Sequence, residues 1–424
     1  MNRLTRYICT SLLLAISVVM LEGCTTSVPP IKTVPNGLSY DFESTAMHPQ
    51  VMVYHESDSM SMLYVKLSAN ELLHTRSGAN KPFEAEAEIS YAITSGNATI
   101  DTGTVKLRDQ TNTELNYSLI KKIPLSLGTG RYTLKLAIVD LRRNLDSGLT
   151  TTIDKTDTYN KQNFLLSRDA EFNDLVFLPH ASTGDTLYVK SARNSSTPML
   201  WLDGTEIKLP PPPFANGNPE LPSTKNANLE EMETVQEGLS RFVFKKGIHF
   251  ISCDPNAQSG LSIIQTSVFY PEVKTNTELI YPLRYITSRA EFDEIVKSSF
   301  SKKLIDNFWI ECGGGRTRGK ELIASYYGRV EEANLNFTSY TEGWRTDRGM
   351  ILLAFGQPNR INRNKDSETW IYSDSNGAPQ LTFAFTKVSN PYSDNVYVLN
   401  RDSYLKPYWE HMVTTWRQGK IFSD

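Results

Sequence analysis

The chain has 424 residues, with 44 Lys plus Arg against 47 Asp plus Glu and a formal net charge of −3. That length allows two to four domains, and so even a charge balance leaves no footprint for nucleic acid. Beyond residue 23 no stretch is long and apolar enough to span a bilayer as a helix, while 20 Tyr and 18 Phe suit β-rich cores.

The N-terminus reads as an export signal. Arg3 and Arg6 precede an apolar run from Tyr7 to Leu21, which is too short for a comfortable span and fits a secretory h-region. The run ends in Leu21-Glu22-Gly23-Cys24, which resembles the lipobox of bacterial lipoproteins. Residues 1–23 are therefore expected to be removed, Cys9 with them, and Cys24 to carry acyl chains. Each buried methylene contributes about 0.8 kcal/mol, so two or three chains hold a protein to a membrane. Removal of Arg3, Arg6 and Glu22 leaves 42 basic and 46 acidic side chains and a net charge of −4. Thr25, Thr26 and Ser27 follow the cysteine in place of an acidic cluster, which by analogy favours the outer membrane, on its periplasmic face.

Residues 24–37, with Pro29, Pro30, Pro35 and Gly37, read as a tether. Residues 38–168 read as an all-β domain. From Phe83 to Ile93, the residues Phe83, Ala85, Ala87, Ile89, Tyr91 and Ile93 alternate with Glu84, Glu86 and Glu88, the pattern of a sheet with one wet face. Tyr132 to Asp140 repeats that alternation, and shorter strands are expected at 51–55, 61–67 and 103–107. The spacing is that of an immunoglobulin-like sandwich. Residues 169–284 read as a second β-rich domain with strands at Thr186–Lys190, Arg241–Lys245, Ile248–Cys253 and Leu261–Tyr270. A polar insertion at 210–237, opening on Pro210-Pro-Pro-Pro213, reads as a stiff spacer.

The period changes near residue 285. Ser288 and Glu291 form a capping-box pattern. Leu304, Ile305, Phe308 and Trp309, then Leu322, Tyr326, Val330 and Ala333, fall at helical spacing. After Gly343 strands are expected at Met350–Phe355, Thr369–Tyr372, Leu381–Val388 and Val396–Asn400. A last helix, Tyr404–Trp416, stops at Gly419. The fold class is thus two mainly β domains followed by an α+β domain at 285–424.

That last domain carries the string Gly343-Trp344-Arg345-Thr346-Asp347. Phe308-Trp309 and Tyr326-Tyr327-Gly-Arg329-Val330 precede it. Arg348-Gly349-Met350-Ile351, Phe355-Gly356-Gln357-Pro358 and Glu368-Thr369-Trp370-Ile371-Tyr372 follow in order. In these blocks the region resembles the GWxTD-domain family. The resemblance implies an exported bacterial protein and no particular chemistry. One departure is Glu311-Cys-Gly-Gly-Gly-Arg316, where the family often has an Arg-Asp-Pro-rich loop. More weakly, Gly349 to Phe385 resembles the small BamE-like lipoproteins of outer-membrane barrel assembly, which implies envelope partners.

Locally, Gly343 suits a tight turn and Trp344 an anchor between layers. Thr346 and Asp347 can accept from amides of the next turn, and Asp347 can pair with Arg345 or Arg348. A catalytic reading would make Asp347 an acid or base and Arg348 an anion clamp. The structural reading is preferred, because no nucleophile or histidine lies nearby in sequence. Gly314-Gly-Arg-Thr-Arg-Gly319-Lys320 looks like the start of a P-loop, but Glu321 replaces the magnesium-binding hydroxyl. It reads as a flexible basic loop, with no nucleotide expected. Cys253 and Cys312 are open to two readings. A disulfide would close a loop of 59 residues and contribute ~4 kcal/mol; the alternative is two buried thiols. The six histidines show no metal spacing, and no cofactor is expected.

Three functional readings follow. The first is a non-enzymatic outer-membrane lipoprotein that binds other envelope proteins. The second is an enzyme on cell-wall or surface polysaccharide, with Asp347, Glu368 or Arg348 lining a cleft. The third is a carbohydrate-binding module in the β domains.

Overall fold

Alternating apolar residues lay down seven antiparallel strands first: β1 (Gln50–His55), β2 (Met60–Ser68), β3 (Phe83–Ser95), β4 (Ala98–Thr111), β5 (Ser118–Ser126), β6 (Arg131–Asp140) and β7 (Leu145–Asp154). They are seen in a computed structural model that describes residues 47–191, 198–254, 256, 259–297, 301–373 and 379–422. The signal segment, Cys24 and the tether lie outside the described residues. The sheets β1-β2-β5 and β4-β3-β6-β7 give the strand order of an immunoglobulin-type sandwich. Ala85, Ala87, Ile89 and Ile93 of β3 face a shared core with Leu63, Val65 and Leu67 of β2 and Leu134, Leu136 and Ile138 of β6. The two strands not foreseen, β5 and β7, are edge strands. Pro124 interrupts the pattern of β5 and a Thr run that of β7, features that edges tolerate.

The second sandwich uses β8 (Phe164–Ser167), β9 (His180–Ala181), β10 (Thr186–Ser191), β11 (Met199–Asp203), β12 (Asn228–Glu230), β13 (Glu233–Gln236), β14 (Leu239–Val243), β15 (Ile248–Ser252) and β16 (Leu261–Gln265). Its sheets are β13-β14-β10-β8 and β12-β11-β15-β16-β9. Because β8 pairs with β10, this unit begins at Phe164 rather than at 169. The 210–237 insertion is no free spacer. Its end supplies β12 and β13, and Leu209 and Phe214 pack against the C-terminal core.

The C-terminal part comprises α1 (Asn276–Ile280), α2 (Arg289–Lys297), α3 (Lys302–Gly313), α4 (Arg316–Phe337), α5 (Asp347–Phe355), the antiparallel meander β17 (Arg360–Arg363), β18 (Ser367–Ser373), β19 (Pro379–Lys387) and β20 (Tyr397–Leu399), and α6 (Lys406–Arg417). The capping box forms: Glu291 N–H donates to Ser288 Oγ (3.2 Å) and Ser288 N–H to Glu291 Oε2 (2.8 Å). Ile280, Leu283 and Tyr285 already belong to this core, so it starts before residue 285.

Two expectations are corrected here. Met350–Phe355 is helix, not strand, and every one of its residues is buried. A short continuous apolar run has no period to read, and the Thr346 cap decides the outcome. The basic P-loop-like segment is not a loop either. The turn is only Gly314 and Gly315, Arg316 starts α4, and Arg318 Nε donates to Gly419 O at 2.7 Å.

Two apolar seams join the parts. Tyr54 and Tyr64 of the first sandwich pack with Leu165, Leu175 and Phe177 of the second. Ile248 and Phe250 of β15 pack with Tyr340, Tyr392 and Val396. Cys253 and Cys312 are both free thiols, set against different cores, so the disulfide reading falls. No helix among the described residues is long and apolar enough to cross a membrane.

Candidate functional site

The motif occupies a single 3-10 turn, Gly343–Arg345, followed by the first residues of α5. The turn is pressed against α4. A Cβ on Gly343 would lie 1.8 Å from Ala333 O, and one on Gly349 would lie 2.0 Å from Gly343 O. Glycine is thus required at both by close backbone approach, rather than by turn geometry. Trp344 is buried, with Tyr285 edge-on at 6.1 Å, and its Nε1–H donates to Glu342 Oε2 at 3.1 Å. Its carbonyl accepts from Tyr285 Oη at 3.2 Å. Thr346 does what its position suggests: Oγ1 accepts from Gly349 N–H (3.1 Å) and donates to Gly343 O (2.8 Å), capping α5.

Asp347 departs from expectation. Its partner is neither Arg345 nor Arg348 but Arg401, which donates to both carboxylate oxygens, Nη1 to Oδ2 at 3.0 Å and Nη2 to Oδ1. Leu399 N–H adds a third donor at 2.8 Å. Both side chains are almost fully enclosed, at 0% and 3% exposure. Burial pushes the Asp347 carboxyl up from its ordinary value, and Arg401 and the Leu399 amide oppose it. Three donors converging on one carboxylate make the ionised form the one this site is built around. Sequence reading missed Arg401. It lies just past the end of β20, and only the pairing of the meander brings it back to α5.

Arg401 reaches further. Its Nη2 (2.9 Å) and Nε (3.3 Å) donate to Pro211 O, and Asp402 N–H donates to Pro213 O at 3.1 Å. Arg345 Nη2 donates to Ile207 O. The motif therefore grips the proline-rich strap of the second sandwich through backbone carbonyls.

Arg348 forms a second buried constellation. Its Nη1 donates to Glu368 Oε1 (3.3 Å) and its Nη2 to Asn395 O (2.9 Å), with the guanidinium 4.0 Å from the Tyr397 ring centroid and 4.9 Å from that of Phe337. Glu368 Oε2 accepts from Trp370 Nε1 at 3.2 Å. Trp370 in turn packs on Phe337 and Phe385, at 5.5 and 5.1 Å. Tyr372 Oη donates to Gly356 O (2.8 Å), and Gly356 ends α5 at φ +83°. Pro358 sits half-buried in the turn after it. The motif residues thus lie together around α5; Cys312 shares their apolar core from α3, while Cys253 packs against the core of the second sandwich. The crevice beside Asp347, lined by Pro210, Tyr340, Arg345 and Tyr397 among others, measures ≈ 10 Å³, the room of a single water at most. Among the described residues no group of three or more His, Cys, Asp or Glu is placed to hold a metal.

Residues 247–418 match the family model of the GWxTD domain. The C-terminal region is a GWxTD domain. The match opens at Gly247, within the second sandwich, so the GWxTD model takes in β15, whose Ile248 and Phe250 build the seam to Tyr392 and Val396. The chain matches no curated protein.

Proposed function

We propose that this chain is an outer-membrane-anchored lipoprotein that works as a non-enzymatic interaction or assembly component of the bacterial envelope. The anchoring part rests on the signal segment and on Cys24. One observation carries the non-enzymatic part: Asp347, Arg348 and Glu368 are all bonded inside the fold. A general acid, base or anion clamp must reach a substrate. These three residues face a crevice no larger than a water, or none, and their loss would cost stability rather than chemistry. For docking, the GWxTD domain offers Tyr404, in the 3-10 turn that leads into α6, and Tyr408, in the first turn of α6, 53% and 41% exposed.

The test is photo-crosslinking in intact envelopes of the full chain, with a benzophenone amino acid at Tyr404 or Tyr408 and, as control, at Leu145 of the first sandwich. The reading expects one envelope protein captured from both tyrosine positions and not from Leu145. Capture at no position, together with cleavage of purified cell-wall polysaccharide that Asp347→Ala abolishes without unfolding the protein, would overturn it.

A further inference from the structure

A cavity lies away from the motif, where the two sandwiches meet the lead-in to the GWxTD domain. It measures ≈ 360 Å³, within the span of small-molecule sites. Its walls come from three places: Lys66 from β2, Arg168 just past β8 with His180 and Asp185 of the second sandwich, and Tyr270 from the segment before α1.

The charges here are unbalanced. Among the described residues neither Lys66 nor Arg168 has a carboxylate within ion-pair distance, and the Lys66 ammonium lies 5.6 Å from the centroid of the Phe177 ring. Burial holds Lys66 below its ordinary range; Asp174 pulls the other way and Arg168 adds to the burial effect. Lys66 is half-buried and Arg168 stands exposed at the rim; a half-dried ammonium with a like charge close by favours an anion beside it.

Gln50, Ser182 and Ser267 also line the cavity, and two further groups, His180 and Asp185, can accept from a ligand. Thr266 Oγ1 donates to Ser267 O at 3.1 Å, so in its 2.9 Å bond to His180 Nδ1 it accepts. In that arrangement His180 carries its proton on Nδ1, which leaves Nε2 as an acceptor. Burial keeps this ring neutral, pushing it down to about 4. Asp185 holds the Ser182 amide with Oδ2 at 2.9 Å, leaving Oδ1 as an acceptor. A cavity lined by both cations and hydroxyl acceptors fits one molecule that has both an acidic group and hydroxyls. Tyr270 and Phe177 supply flat apolar wall, as sugar rings require.

We infer that this cavity binds a small polyhydroxylated acid of the sugar-acid class, with its carboxylate on Lys66 and Arg168 and its hydroxyls on His180 and Asp185. The test is titration calorimetry on the full mature chain in detergent, at low salt, with glucuronate, with glucose and with inorganic phosphate. Glucuronate should bind, and glucose and phosphate should each bind at least about tenfold more weakly, since each lacks one half of the recognition. Lys66→Met keeps the stem over Phe177 and removes the charge; it should weaken glucuronate about tenfold or more with the unfolding midpoint unchanged. Should Lys66→Met not fold, Arg168→Gln at the exposed rim carries the same expectation. The inference is overturned by no glucuronate binding up to on the order of 10 mM. Phosphate binding as tightly as glucuronate would also overturn it, as would a folded charge-removing variant that binds like wild type. A tri-uronate arm then tells a free acid, which the trimer would not match, from a polysaccharide end, which it would.

Discussion

At Gly343 the motif is decided by an absence. An alanine methyl would meet the Ala333 carbonyl at 1.8 Å, and neither backbone can yield without moving α4 off the α5 turn. Gly343→Ala is therefore expected to destabilise the GWxTD domain by at least about 3 kcal/mol in urea unfolding. Glu368→Gln should act comparably, by about 3 kcal/mol, because Arg348 and Arg363 lose the carboxylate they share in the core. Calorimetric unfolding with a near-unchanged midpoint would count against both. Part of this was legible in the sequence: the glycine, the tryptophan and the threonine advertise a tight turn, but the apolar run after it looks like a strand and is a helix. Arg401 was not legible, because 54 residues separate it from Asp347 and an arginine at a strand end has no local pattern to mark it.

At the scale of elements, alternation exposed β3 and β6 because each has one wet face, and hid β5 and β7 because edges need no strict pattern. It failed at α5, which is buried on every side and whose Met350–Phe355 run is wholly apolar, so that it has no face to show. The strap failed differently. Four prolines predict stiffness, not a destination, and the carbonyls that Arg401 grips carry no sequence signal. Arg401→Lys keeps the charge and loses the fork; limited proteolysis should cut residues 209–220 faster in that variant than in wild type. In β15 the buried His249 ring lies between Phe242 and Phe244, at 5.5 and 4.1 Å, and burial pushes it down to about 4. A histidine depressed in the folded state takes up its proton more readily when unfolded. Its contribution is whole above pH 6.5 and is lost as pH falls from there to about 4. Stability measured across that window should fall by roughly 3 kcal/mol on this group's account, and His249→Gln should lack that slope.

Among the described residues the parts hold each other through apolar seams and a polar strap, and the motif sits where strap and helical core meet. The order of β domains before an α+β domain could be read from periodicity alone. The seams could not, since Tyr54, Phe250 and Tyr392 look like any core aromatics until their neighbours are known. Cys24→Ser should lose palmitate label and release the chain from the membrane fraction, whereas retention without label would contradict the anchor. The central claim is that the GWxTD aspartate holds the fold together instead of performing chemistry. The most direct measurement is equilibrium unfolding of the full mature chain carrying Asp347→Asn, which leaves Arg401 buried without its counter-charge. The account predicts a loss of about 3–5 kcal/mol in the transition of the GWxTD domain; an unfolding curve superimposable on wild type, in a protein that has lost its function, would contradict it.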